Sequence, residues 1–181
     1  YKGGLTAAQK RRLISALATA SEARGTDATG IAYNCDGHLA VYKRPWPAHL
    51  MRFRLPENVR CIMGHTRMTT QGDERQNCNN HPFIGTAGIP FALAHNGILY
   101  NDKELRQERK LPDTNIETDS YIAVQLLEQQ GKLNFSAIRT AAEALEGTLT
   151  LTILDKRDNL YIVRGDNPLT LYHFPRLGLY A

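Results

Sequence analysis

Thr148-Leu-Thr-Leu-Thr-Ile-Leu-Asp155, Leu160-Tyr-Ile-Val-Arg164 and Leu169-Thr-Leu-Tyr-His-Phe174 are three successive runs in which apolar and polar residues alternate. A period of two sends neighbouring side chains to opposite faces, so these runs predict consecutive antiparallel strands. Upstream, Gly30–Cys35 and His38–Lys43 flank Asp36-Gly37, a dipeptide favoured in two-residue hairpin turns. Arg60–His65 reads as a short buried strand, and Phe91–His95 as another, ended by Asn96-Gly97. Helical spacing marks Leu5–Arg24, with Thr6 as cap and Gly25 as stop, and then Asp102–Glu108, Asp119–Gln130 and Phe135–Leu145. Thr69–Pro90, rich in Gly, Asn and Thr, reads mostly as loop, and a loop of that length in a compact domain is usually functional or disordered. Strands outnumber strand–helix–strand units, which favours an α+β layered fold with antiparallel sheets.

Composition excludes several classes. The 181 residues are 42% hydrophobic and 22% charged, as in a globular domain, and no linker or internal repeat divides them. No apolar run reaches the length of a membrane span, so no membrane partner is expected. The three cysteines, at 35, 61 and 78, form no CxxC pair, so a reducing cytoplasm is the expected location. The net charge of +4 comes from scattered residues, including Lys10-Arg11-Arg12, Arg52, Arg54 and Arg60; these read as a solvated helix face and loop charges, and a nucleic-acid partner is not expected.

Five segments carry chemistry-bearing residues: Arg24-Gly-Thr-Asp-Ala-Thr-Gly30, Gly64-His-Thr-Arg-Met-Thr-Thr-Gln-Gly72, Asn79-Asn-His-Pro-Phe83, Ala94-His-Asn-Gly97 and Glu117-Thr-Asp-Ser120. Each alone has an ordinary explanation: a helix end, a hydrogen-bonded core histidine, a turn, a helix cap. Cys78 and His81 also have C-x₂-H spacing on which His65 and His95 could converge, but a zinc site usually offers a second close ligand pair and none is present. No metal or cofactor is expected.

Together and in this order, the segments resemble the class II glutamine amidotransferase domain, a member of the N-terminal-nucleophile hydrolases, from about Leu5 to Phe174. The resemblance implies a four-layer αββα sandwich with two stacked antiparallel sheets. It also implies hydrolysis of the glutamine side-chain amide to glutamate and ammonia, with the ammonia passed to an acceptor on another domain or subunit. Arg67 matches the arginine that clamps the substrate α-carboxylate, and Asp119 the acid that receives the α-ammonium. Asn96 and Gly97 match the oxyanion hole, and Thr70, Gln71 and Gly72 are expected to line the glutamine pocket. Arg24, Asp27, His65, Asn79 and His81 are expected to support the site; Arg24 would hold the nucleophile's segment and Asp27 the adjoining turn.

The family's nucleophile is a cysteine at residue one of the mature chain, whose free α-amine serves as the base. Cys35, Cys61 and Cys78 are internal, and Tyr1 is neither a thiol nor a residue before which an initiator Met is normally removed. A single domain over residues 1–181 is therefore expected to lack its first strand, which carries the nucleophile upstream of Tyr1, and its C-terminal end is expected to continue. In that form the chain would be inactive. The alternatives are a catalytically inactive glutamine-binding relative and a hydrolase of another γ-glutamyl amide.

Overall fold

The computed structural model describes residues 4–181. Tyr1, on which the expectation about the N-terminus turns, lies outside the described residues. Helix α1 spans Ala7–Ala20 and is capped by Thr6, whose side chain accepts the Gln9 N–H while the Gln9 side chain returns to the Thr6 N–H. A 3₁₀ turn over Ser21–Arg24 follows, and the chain turns at Gly25. Strands β1 (Ala28–Cys35) and β2 (His38–Arg44) form the hairpin expected from Asp36-Gly37, both residues of which have positive φ (49° and 74°). Strand β3 (Ile62–Arg67) pairs antiparallel with β1, giving a sheet of order β2-β1-β3.

The second sheet has the order β4-β5-β6-β7, built from Phe83–Thr86, Pro90–Leu99, Gly147–Asp155 and Leu160–Arg164, all antiparallel. Helices α2 (Asp102–Glu108), α3 (Tyr121–Gln130) and α4 (Phe135–Glu143) lie between β5 and β6 in the chain. Side-chain alternation fixes the layers. Phe91, Leu93, Leu151 and Ile153 pack with Ile122, Leu126, Leu127 and Ile138 under α3 and α4. The opposite face packs Ala92, Ala94 and Leu154 against Ala32 and Met63 of the first sheet, so the two sheets stack face to face. The outer face of the first sheet, through Ile31, Tyr33 and Ile62, is covered by Ile14 and Ala18 of α1 and by Met51, Phe53 and Leu55. The result is the expected αββα sandwich.

Three local expectations change. The segment Thr69–Pro90 is mostly loop, as expected, and within it lie a 3₁₀ turn at Asn77–Asn79 and strand β4, too short for alternation to reveal. Asn96-Gly97 does not end its strand, because β6 offers a ladder through it, pairing Asn96 with Thr150 and Gly97 with Leu149. The run Leu169–Phe174 contributes only β8 (His173–Phe174), which pairs with β9 (Leu179–Tyr180) apart from both main sheets. Leu169 and Leu171 are 45% and 66% exposed, so their alternation faces no core. Lys10 is not on a solvated face; it is buried and donates to the carbonyls of Glu57 and Val59. Among the described residues, no helix is long and apolar enough to cross a membrane.

Candidate active site

Arg67 ends β3 and is 4% exposed. Nη1 donates to Asn80 Oδ1 at 2.7 Å, and Nη2 to the Gln71 carbonyl at 2.5 Å and the Gly72 carbonyl at 3.4 Å. Burial pushes the guanidinium pKa down, while Glu74, Asp27, Asp119 and Asp73 oppose that shift; a guanidinium stays charged throughout the accessible range. Three contacts thus fix the plane of a desolvated cation.

The backbone beneath it is held from the other side. The Asp27 N–H donates to the Arg67 carbonyl at 3.0 Å, and Asp27 Oδ2 accepts the Thr69 N–H at 2.7 Å, so one residue ties the chain on both sides of Met68. Gly25 passes so close that a Cβ there would collide with the Arg67 peptide, which is the physical reason for glycine in the Arg24-Gly25 pair.

Asn79, fully buried, joins two loops. Its Nδ2 donates to the Asp73 carbonyl and to Glu117 Oε2 at 3.0 and 2.8 Å, and its Oδ1 accepts the Glu117 N–H at 2.9 Å. That staple brings the segment before α3 against the loop after β3. Asp119, 3% exposed, does not cap α3; its Oδ2 accepts the Leu99 N–H at 2.6 Å and its Oδ1 the Ser120 hydroxyl at 3.3 Å. The carboxylate is thereby anchored to the end of β5.

Arg67, Thr70, Gln71, Asn96, Gly97 and Asp119 line one cleft of about 250 Å³. Arg24, His65 and His81 line it too. Gly72, Asp27 and Asn79 stand behind it and act on its walls: the Gly72 carbonyl reaches Arg67, Asp27 holds the turn, and Asn79 holds the loops. Asn96 Oδ1 accepts from Arg24 Nη2 at 3.4 Å, which leaves Nδ2 as the donor end of the amide. Gly97 has φ 144°, and a Cβ there would collide with the Thr148 carbonyl. The cleft pairs a buried cation with a buried anion and places a side-chain amide and a strand N–H beside them. Such a set has the charges to match an amino acid's two charged ends and the donors to meet a developing negative oxygen.

Three histidines lie at this seam. His65 and His81 rings stack with centroids 4.3 Å apart, and His81 meets Phe83 edge-on at 4.5 Å. His95 Nδ1 pairs with the Ser120 hydroxyl at 2.8 Å. Burial pushes the pKa of His65 down to about 4 and that of His81 well below the usual imidazole value. Burial also lowers His95, with Asp119 pulling the other way. All three are therefore neutral at pH 7. Neither ring nitrogen of His81 has a hydrogen-bond partner among the described residues. No group of three or more His, Cys, Asp or Glu side chains there is placed to hold a metal ion.

Several contributors escape sequence reasoning. Asn80 stood as the unspecified residue between Asn79 and His81, yet it holds Arg67; the tandem asparagines were the available signal. Glu117 and Ser120 were inside a quoted segment without a role. Asn167, which also lines the cleft, had no signal at all.

The sandwich has counterparts among known proteins. Two solved structures share the fold at 22% identity. "Glutamine phosphoribosylpyrophosphate (PRPP) amidotransferase from B. subtilis complexed with ADP and GMP" matches with a TM-score of 0.62 over 82% of this chain and 32% of its own. "Structure of the allosteric regulatory enzyme of purine biosynthesis" matches with a TM-score of 0.63 over 77% and 31%. In sequence, the glutamine–fructose-6-phosphate aminotransferase (isomerizing) of Bacillus thuringiensis is 34% identical over 82% of this chain, and that of Corynebacterium efficiens is 33% identical over 83%. The chain spans 26% of the length of each. The profile of the glutamine amidotransferase domain family matches residues 65–177, and the chain belongs to that family, in its class II branch.

Proposed function

We propose that this domain hydrolyses the side-chain amide of glutamine to glutamate and ammonia, using an N-terminal cysteine on a strand that precedes Tyr1. The observation that carries it is the convergence of Arg67, Asp119 and Asn96–Gly97 on one cleft. Arg67 would receive the α-carboxylate and Asp119 the α-ammonium, leaving the side-chain amide toward Asn96 and Gly97. A thiolate adds to the amide carbon, and the oxyanion is met by the Asn96 side-chain N–H and the Gly97 backbone N–H. The cysteine's α-amine, with an ordinary pKa of about 7.7–8.0, takes the thiol proton and returns it to the departing ammonia. Water then hydrolyses the thioester to glutamate. His65 is a poorer base for this, since its pKa lies at about 4.

Two features support a nucleophile on a preceding strand. Cys35, Cys61 and Cys78 do not line the cleft, and Asp36 raises the pKa of the Cys35 thiol while burial raises that of Cys61. Strand β3 pairs on only one edge among the described residues. Beside it runs an apolar groove of about 410 Å³, walled by Ile14, Leu17, Ala18, Ile31 and Ile62 and ending at Arg24, His65 and Asn96. An extended segment in that groove would deliver its end to the cleft.

The ammonia would pass to an electrophilic acceptor on another domain or subunit. The intact protein should take one label from a glutamine-like diazo ketone, at its N-terminal cysteine, and release ammonia from glutamine faster than from other γ-glutamyl amides. Labelling at Cys35, Cys61 or Cys78 would overturn the mechanism, and glutamine binding without turnover would indicate an inactive relative. Residues 1–181 by themselves should not hydrolyse glutamine.

A further inference from the structure

We propose that Asn167 is a positioning residue for the oxyanion hole, holding the Asn96 carbonyl and through it the N–H of the Asn96–Gly97 peptide. This rests on the role proposed above for Asn96 and Gly97. Asn167 Nδ2 donates to the Asn96 carbonyl oxygen at 2.8 Å from a segment 71 residues further along the chain. A carbonyl only accepts, so the sense of the Asn167 amide is settled by its partner. The Asn96 carbonyl and the Gly97 N–H belong to one planar unit. A donor on the oxygen end therefore sets where the N–H end points, and it polarises that N–H into a stronger donor.

The surrounding strand makes this contact matter. Around Gly97, side chains bond to strand groups alongside the ladder with β6. The Ile98 N–H goes to Thr148 Oγ1 at 3.2 Å, the Leu99 N–H to the Asp119 carboxylate at 2.6 Å, and the Thr148 carbonyl lies 3.2 Å from His95 Nε2. The Asn96–Gly97 peptide is thus held by its ladder with β6 and, in addition, by side chains from outside it. Arg24 holds the Asn96 side chain and Asn167 holds its carbonyl. Asn167 is itself anchored to β6. Its carbonyl accepts from Thr150 Oγ1 at 3.5 Å, and the Gly165 N–H donates at 2.8 Å to the carbonyl of Leu149, the ladder partner of Gly97. Pro168 then restricts the Asn167 backbone to extended conformations.

The test is steady-state glutamine hydrolysis by the intact protein. Asn167→Ala should lower kcat about tenfold, the effect of one lost hydrogen bond felt in the transition state. KM and the inhibition constant of glutamate, a ground-state ligand, should stay within about twofold. Asn167→Asp keeps the shape but presents only acceptors to the carbonyl, so it should lower kcat at least as far. A kcat near that of the parent in both variants, or a raised KM with kcat unchanged, would overturn the proposal. Asn96→Ala separates the two levels. If it lowers kcat while the Asn167 variants do not, only the positioning role fails; if it leaves kcat unchanged, the oxyanion hole itself has been misplaced.

Discussion

Arg67 is a permanent cation at 4% exposure, a position whose desolvation is offset only by good partners. Its protein partners are two carbonyls and the Asn80 amide oxygen, all neutral. The fork is held in one plane yet keeps its full charge, as the proposed contact with a ligand carboxylate requires. Lysine would retain the charge without the planar fork, so Arg67→Lys should lower kcat/KM for glutamine by about 30- to 150-fold, mainly through a raised KM. Asn96→Ala should show the opposite balance: in the proposed mechanism its donor is needed where charge develops, so kcat should fall about 10²–10³-fold with KM little changed. Kinetics on the two variants of the intact protein checks both, and a raised KM with unaltered kcat for Asn96→Ala would assign Asn96 to ground-state binding. Arg67, Asn96 and Asp119 were legible because each sits in a short block of distinctive residue types. Asn80 and Asn167 were not, because an amide that holds a neighbour resembles any loop asparagine until the chain is folded.

Strand β5 shows the same limit at the next scale. An Asn-Gly pair after an apolar run is a strong turn signal, but the partner strand β6 arrives only after three helices, and local spacing cannot see it. The ladder turns Asn96-Gly97 into mid-strand residues with a backbone that favours glycine, φ 144° at Gly97. The Asp36-Gly37 hairpin was readable because both of its strands are local. Strand β4 was hidden because four residues are too few to show a period, and its pairing with β5 decides it. Glycine at 97 serves the structure and, in the proposed mechanism, the chemistry as well. In Gly97→Ala the new Cβ would meet the Thr148 carbonyl, so β5 and β6 must separate locally. That change should destabilise the protein by about 1–3 kcal/mol and lower kcat at least as far as Asn96→Ala. Denaturant unfolding and kinetics on this one variant check both; parental kcat would mean that the Gly97 peptide does not face the reacting oxygen.

At the scale of the whole molecule, the two sheets meet at a seam that includes His65 on β3, His95 on β5 and His81 just before β4. His65 is faced by the His81 ring, by His95 and by Arg67, and Lys43 adds positive charge beside His81. The charges on these neighbours penalise a proton on the imidazole, whereas a hydrogen bond with the His95 backbone favours one on His65 and Asp119 favours one on His95. Burial is the largest cause and holds His65 at about 4, against about 6.5 in an unfolded chain. Above pH 6.5 both states are neutral there and the histidine adds no pH dependence. As the pH falls from 6.5 toward 4 the unfolded chain binds protons that the folded one refuses, so stability falls. At 1.36 kcal/mol per pKa unit, His65 alone should cost about 2 kcal/mol by pH 5 and about 3 kcal/mol by pH 4, with His81 and His95 adding in the same direction. Urea unfolding at pH 7.5, 6 and 5 should therefore show most of the loss below pH 6.5, well above the range where carboxylates titrate. His65→Gln removes one titrating group while keeping a polar side chain, so its stability should decline less over the same interval even if it is lower at pH 7.5. A decline as steep as the parent's would mean that His65 takes up its proton in the folded protein, and that the seam opens to water without unfolding.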